Sequence, residues 1–245
     1  MAALRALVTG GSRGIGRAIA ATLTQTGHAV TIIGLDPGRL GEALRDGLAT
    51  EAEALDITDE ARLSRFVGAG HFDILVNNAG GAATAPFLRT DRDLLRRMLA
   101  LNVESAAEAM RAALPGMMER GFGRVINVAS TAGLKGYAYA SAYAAAKHAL
   151  VGLTRSVALE VAKSGVTVNA VCPGYTDTDL IAESVRGIVA KTGRTEAEAR
   201  AHFEQSNPLG RLVKPQEVAD AVLWLTGEGA AAVTGQAIVV AGGEL

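Results

Sequence analysis

Seven short apolar runs recur along the chain, near 4–9, 28–33, 52–55, 72–76, 123–128, 166–171 and 236–240. Each has the length and side-chain character of a β-strand. Between them, apolar positions return every three or four residues near 14–26, 38–48, 59–67, 91–119, 140–163 and 215–226, which predicts helices. Strands alternating with helices form βαβ units, so the pattern predicts an α/β fold with a mostly parallel sheet and helices on both faces. Right-handed crossovers make an open doubly wound sheet the natural architecture. The stretch 175–212 breaks this rhythm. It is polar, holds two short helical candidates and no strand, and is too long for an ordinary connection. It reads as a small helical lid inserted over a site, with a solvated surface excursion as the alternative. No repeat or linker divides the chain, so a single domain over 1–245 is expected.

Composition narrows the classes. Among 245 residues only 4% are aromatic while 29 are glycine, which suits a tightly wound fold with many turns. The formal net charge of −1, with no basic run, makes nucleic acid and anionic membrane poor partners. A single cysteine, Cys172, cannot close an internal disulfide, in keeping with a reducing compartment. Neither a leader pattern nor an apolar run of spanning length is seen, so a cytoplasmic setting is expected. The four histidines are scattered and no Cys/His spacing matches zinc, so no metal is expected.

Candidate chemistry begins at Thr9-Gly10-Gly11-Ser12-Arg13-Gly14-Ile15-Gly16, which follows the first strand and opens the first helix. Glycines there allow a sharp turn and close approach to a pyrophosphate, with the helix N-terminus facing the negative charge. This placement marks the sheet as Rossmann-like. The same residues match G-x-S-x-G, the hydrolase nucleophile elbow, but only one strand precedes Ser12 and none of His28, His71, His148 and His202 sits in a suggestive context. An ATP-type loop fails because Arg17-Ala18 follows Gly16 where Lys-Ser/Thr is needed.

Tyr143 and Lys147 lie four residues apart on a predicted helix, which brings their Cβ atoms to about 5–6 Å. A tyrosine with a pKa of about 10 needs roughly 4 kcal/mol to ionise at neutrality. A cation about 4 Å away at an effective dielectric of about 20 supplies that much. The spacing therefore predicts a phenol able to act as acid or base. The alternative is a pair decorating an exposed helix. Tyr137 and Tyr139 have no lysine four residues on.

Taken in order, Thr9-Gly10…Gly14-Ile15-Gly16, Asn77-Asn78-Ala79-Gly80, Asn102, Ser130, Tyr143-x-x-x-Lys147 and Pro173-Gly174 resemble the short-chain dehydrogenase/reductase family over essentially the whole chain. Asn169–Gly174 and Ser141–His148 are most similar to 3-oxoacyl-carrier-protein reductases and polyketide ketoreductases. The lid, through Lys191-Thr192-Gly193 and Glu204–Pro208, is similar to that of 3-hydroxybutyrate dehydrogenases. The resemblance implies ketone/secondary-alcohol interconversion with Tyr143 as proton donor and acceptor. Lys147 would lower the tyrosine pKa and bind ribose hydroxyls, Ser130 would hold the carbonyl oxygen, and Asn102 would position a water beside Lys147. Such a site needs donors aimed at the developing oxyanion and a matched proton source.

The same likeness implies a nicotinamide dinucleotide held by Gly10, Ser12, Arg13, Gly14, Ile15 and Gly16. Asp56 and Ile57 would flank the adenine, Asn78, Ala79 and Gly80 its ribose, and Pro173, Gly174, Thr176 and Thr178 the carboxamide end. Gly34 stands where NAD users carry an acid, and Leu35 where NADP users often carry Arg, Ser or Thr. Arg13 favours a 2′-phosphate, so NADP(H) is expected over NAD(H), with Asp36 one residue late for the acidic role. The implied substrate is a small ketone or alcohol, such as an acyl-CoA or acyl-carrier-protein thioester. Ala132 and Ala140 replace the clamp that small hydroxy acids need. Gln205 is a candidate lid contact. Leu134, Tyr137 and Tyr139 could line an apolar pocket or form a plain surface loop. An NAD-linked dehydrogenase of 3-hydroxyacyl-CoA or cyclic alcohols is one alternative, and a non-catalytic nucleotide-binding regulator is another. Relatives pair through the two long helices, which implies a homotetramer or a dimer.

Overall fold

Strand β1 (Arg5–Thr9) is buried beyond its first residue and pairs in parallel with both β2 (Ala29–Gly34) and β4 (Ile74–Asn77). A computed structural model, describing residues 3–245 apart from the side chain of Lys191, extends this pairing into one parallel sheet. Its order is β3-β2-β1-β4-β5-β6-β7, where β3 is Glu51–Ala54, β5 Gly123–Val128, β6 Val166–Pro173 and β7 Ala237–Val240. The order reverses between β1 and β4, the crevice where open α/β sheets receive ligands.

Helices cover both faces. One face packs α1 (Gly14–Gln25), α2 (Pro37–Arg45) and α9 (Pro215–Thr226) over Val8, Ile32, Val76 and Ile126. The other packs α3 (Glu60–Ala69), α5 (Ser105–Glu119) and α6 (Ser141–Val161) over Leu7, Ile33, Leu75 and Val125. Each such aliphatic residue contributes about 1.5–3 kcal/mol by leaving water. The alternation along β1 sends Leu7 to one core and Val8 to the other. Cys172, near the end of β6, is fully buried.

One expectation needs adjusting. The helix expected over 91–119 is broken into α4 (Arg92–Leu99) and α5 by a π-helical turn, Ala100–Glu104. There the Ser105 N–H donates to the Ala100 carbonyl five residues back. The stretch 175–212 contains α7 (Asp179–Thr192) and α8 (Glu196–Glu204), as expected, packed on a small core of Ile181, Val185, Ala199, Phe203 and Leu212. No helix among the described residues is long and apolar enough to cross a membrane.

Candidate active site

The turn between β1 and α1 places Gly10 and Gly14 at φ +65° and +53°, a region that favours glycine. A Cβ at Gly16 would lie 2.2 Å from the Gly10 carbonyl oxygen, so its absence lets α1 sit directly on the turn. The first turn of α1 has neither a capping side chain nor an acidic residue. Its leading N–H groups are thus left for an anion. Asn78 braces the turn from just past β4, its amide donating to the carbonyls of Thr9 (2.9 Å) and Gly10 (3.2 Å). Thr9 Oγ1 accepts from the main-chain nitrogens of Asn78 (3.0 Å) and Ala79 (2.9 Å).

Around this turn runs a cleft of about 650 Å³. Leu35, Asp36, Arg39, Asp56 and Ile57 line its β2 and β3 side. Gly10, Ser12, Arg13, Gly14, Ile15, Gly16, Asn78, Ala79 and Gly80 form its middle. Asn102, Tyr143 and Lys147 lie at the β5 side, and Thr178, Asp179 and Leu180 at the start of α7 also border it. A glycine floor, an open helix N-terminus and flanking arginines suit a dinucleotide, so the residues present match the group that the sequence implied.

At the β5 end, Ser130 caps a short 3₁₀ turn, Thr131–Gly133, its Oγ accepting from Ala132 N at 3.1 Å. The same hydroxyl lies near the phenol of Tyr143, in the first turn of α6. Lys147, one turn further on, is buried, with Nζ 5.8 Å from the centre of the Tyr143 ring. Nζ donates to the Val128 carbonyl at 2.9 Å. Burial pulls the Lys147 pKa down to about 8. Burial pushes the Tyr143 phenol up, opposed by the Ser130 hydroxyl. The expectation that the adjoining ammonium brings the phenol toward neutrality is therefore corrected: within the protein alone, desolvation of the ring wins.

Asn102 lies inside the π-helical turn, a feature frequent at functional sites. Its Nδ2 donates to the carbonyls of Gly81 (3.0 Å) and Met98 (3.0 Å). A Cβ at Gly80 would stand 2.6 Å from Asn102 Oδ1 and 3.6 Å from Lys147 Nζ, so asparagine and lysine converge over that bare α-carbon.

The fold does not bring every expected residue to the cleft. Thr176 forms a bridge with Val213, which turns its side chain inward, and its Oγ1 donates to the Gly174 carbonyl at 2.9 Å. Thr176, Pro173, Gly174 and the expected catalytic Ser130 are absent from the lining, whereas Thr178 is present. Conversely, Arg39 and Asp179 line the cleft without having been foreseen. Arg39 pairs with Asp36 (3.5 Å) and with Asp179 of α7 (3.6 Å), while Arg13 approaches Glu183 at 4.0 Å. Asp36 also caps α2, accepting from Gly38 N (2.9 Å) and Arg39 N (3.3 Å), which settles it at the helix end. Its place after Gly34 and before Pro37 was the available signal for that cap. Among the described residues, no three His, Cys, Asp or Glu side chains gather as metal ligands would.

Comparison with known proteins decides the family. A family model described as enoyl-(acyl carrier protein) reductase, of the short-chain alcohol-dehydrogenase type, matches residues 10–244. A ketoacyl reductase assigned to the monensin polyketide synthase of Streptomyces virginiae is 41% identical over 252 residues, covering 97% of this chain and 95% of that protein. The chain belongs to the short-chain dehydrogenase/reductase family. The 3-oxoacyl-(acyl-carrier-protein) reductase of Vibrio harveyi is 39% identical over 246 residues, covering 97% of this chain and 96% of that protein. A variant of actinorhodin polyketide ketoreductase, solved with NADPH, superposes with a TM-score of 0.93 at 35% identity, over 99% of this chain and 97% of that one. Membership of the short-chain dehydrogenase/reductase family makes the chain an oxidoreductase of carbonyls and secondary alcohols.

Proposed function

We propose that this protein is an NADP(H)-dependent 3-oxoacyl-thioester reductase, converting a ketone to a secondary alcohol. The observation that carries the reading is the meeting of Tyr143, Lys147 and Asn102 at one end of the glycine-floored cleft, with Ser130 beside Tyr143 just outside its lining. The similarity to ketoacyl reductases supports the thioester class. Arg13 and Arg39 on the cleft wall support a 2′-phosphate, and no acid stands at Gly34 to exclude one.

When bound, the cofactor supplies hydride to the carbonyl carbon. The chain does the rest. Ser130 and Tyr143 present two hydroxyls to the carbonyl oxygen, on which negative charge builds as the hydride arrives. Tyr143, whose raised pKa keeps it protonated at neutral pH, gives its proton to that oxygen. Lys147, an ammonium in an apolar setting, stabilises the phenolate left behind and would also hold the ribose hydroxyls of a bound dinucleotide. Asn102, held beside Lys147, positions the water that returns a proton from solvent.

The reverse direction uses the same groups, so a catabolic NAD-linked dehydrogenase shares this machinery. Rates with NADPH and NADH on a panel of acyl-CoA thioesters and cyclic ketones distinguish them. NADPH preference with turnover of a 3-oxoacyl thioester supports the proposal, and NADH preference with cyclic alcohols overturns it. A cytoplasmic homotetramer completes the proposal. It is supported by the apolar exposed surface of Leu159, Trp224 and Val239, and a monomer in sedimentation at micromolar concentration would refute it.

A further inference from the structure

The end of the chain carries a buried charge that this chemistry does not use. Beyond β7, the side chain of Glu244 turns inward and is only 3% exposed. Its Oε1 accepts from the Tyr137 hydroxyl and stands 3.1 Å from Lys135 Nζ. Lys135 Nζ also donates to the Glu244 main-chain carbonyl at 3.2 Å. The Tyr137 oxygen meets Thr131 Oγ1 at 2.6 Å, and burial together with Glu244 pushes this phenol up, so it remains a donor. The other carboxylate oxygen is buried without a donor, 2.7 Å from where a Cβ on Gly174 would stand.

These contacts gather on the segment 131–139, which joins Ser130 to the helix bearing Tyr143. The segment is held at its ends as well. Gly133 N donates to the Ser130 carbonyl at 2.9 Å, and Ala85 N donates to that of Tyr139 at 2.8 Å. Tyr139 takes a left-handed φ of +66°, a strained setting for a tyrosine. On its far side Tyr137 stands edge-on to Tyr175 at 6.1 Å, and Tyr175 to Phe203 of α8 at 5.0 Å. Glu244, Lys135, Tyr137, Tyr175 and Phe203 are all absent from the lining of the dinucleotide cleft.

We propose that Glu244 is a positioning residue for the ketone: by clasping Lys135 and Tyr137 it fixes segment 131–139, and with it the Ser130 and Tyr143 hydroxyls and the Tyr175–Phe203 wall. This rests on the function proposed above. Tyr137 and its neighbours thus meet a buried carboxylate, not the apolar pocket that the sequence left open. Removing one member of a buried ion pair is worse than removing both, because the remaining charge is stranded. Here the stranding is one-sided. Lys135 is 36% exposed and can turn to water, but Glu244 cannot.

The test uses the full-length protein and four variants: Glu244→Ala, Glu244→Gln, Lys135→Met and Lys135→Met/Glu244→Gln. For Glu244→Ala, KM for the ketone should rise about tenfold while the NADPH dissociation constant, read by its fluorescence, stays within about twofold. Amide hydrogen exchange should quicken in 131–139 and remain slow in β1, β4 and β5. Lys135→Met should be impaired more than Glu244→Gln, and the double variant should recover part of the loss. Unchanged exchange in 131–139, a uniform rise across the sheet, or equal losses of ketone and NADPH binding would each overturn the proposal. Failure of the wild-type protein to reduce any ketone would instead remove the proposed function, while the exchange pattern still decides the clasp.

Discussion

Asn102 and Gly81 exchange two hydrogen bonds, Nδ2 donating to the Gly81 carbonyl at 3.0 Å and Oδ1 accepting from its N–H at 3.3 Å. The exchange fixes which end of the amide faces Lys147. Gly80 leaves the room for it, since a Cβ there would stand 2.6 Å from Oδ1. Gly80→Ala should displace the asparagine and lower kcat by about tenfold to a hundredfold, the usual cost of a misplaced positioning group. Steady-state rates check this. Wild-type kcat in the variant would show that Asn102 has no part in turnover.

Tyr143→Phe removes the proposed proton donor while keeping the ring. Turnover should fall by about a hundredfold to ten-thousandfold, the span of general acid catalysis. NADPH affinity should be nearly unchanged. Stopped-flow rates with a fluorescence titration make the comparison, and a fully active variant would remove the acid/base assignment.

Lys147 supplies a pH signature. With its pKa lowered to about 8, ketone reduction should decline as pH rises through that value and the ammonium is lost. The fold should respond as well. The native state releases this proton more readily than the unfolded chain, whose lysine titrates near 10.5. The penalty for a buried ammonium is therefore complete below about pH 8 and vanishes above 10.5. Thermal melts of wild type and Lys147→Met should differ most at pH 7, with the variant relatively favoured, and converge toward pH 10. A constant difference would contradict the shift.

Arg13→Ala and Arg39→Ala should weaken NADPH by about tenfold each, the scale of a charge-assisted hydrogen bond, and NADH by much less. Both guanidinium groups are about half exposed, so the effect should shrink with added salt. Equal losses for the two dinucleotides would remove the case for a 2′-phosphate.

The strands were legible because a parallel sheet covered on both faces reads as near-continuous apolar runs, as in β5 and β6, which are buried throughout. The cleft residues on the first turn and on α6 were legible because their spacing is local. What escaped depends on chain folding back on itself. The π-helical turn holds one residue more than periodicity can register, since Leu99 and Val103 keep an apolar stripe across it. Thr176 and Thr178 look alike in sequence, and only the bridge to Val213 separates them. Arg39 lines the cleft from the first turn of α2, which Asp36 caps, and Glu244 meets Tyr137 across 107 residues.

The extra residue in 100–104 also places this helix under a counting constraint. Deleting any one residue from that bulge would let ordinary i→i−4 bonding run straight through. Everything upstream would then rotate by about 100° relative to everything downstream, one residue's share of a helical turn. Leu94 and Met98, which now pack against Ala142 and Ala146, could not keep their seats while α5 kept its own. Homologous chains should therefore tolerate substitutions within the bulge far more readily than a change in its length.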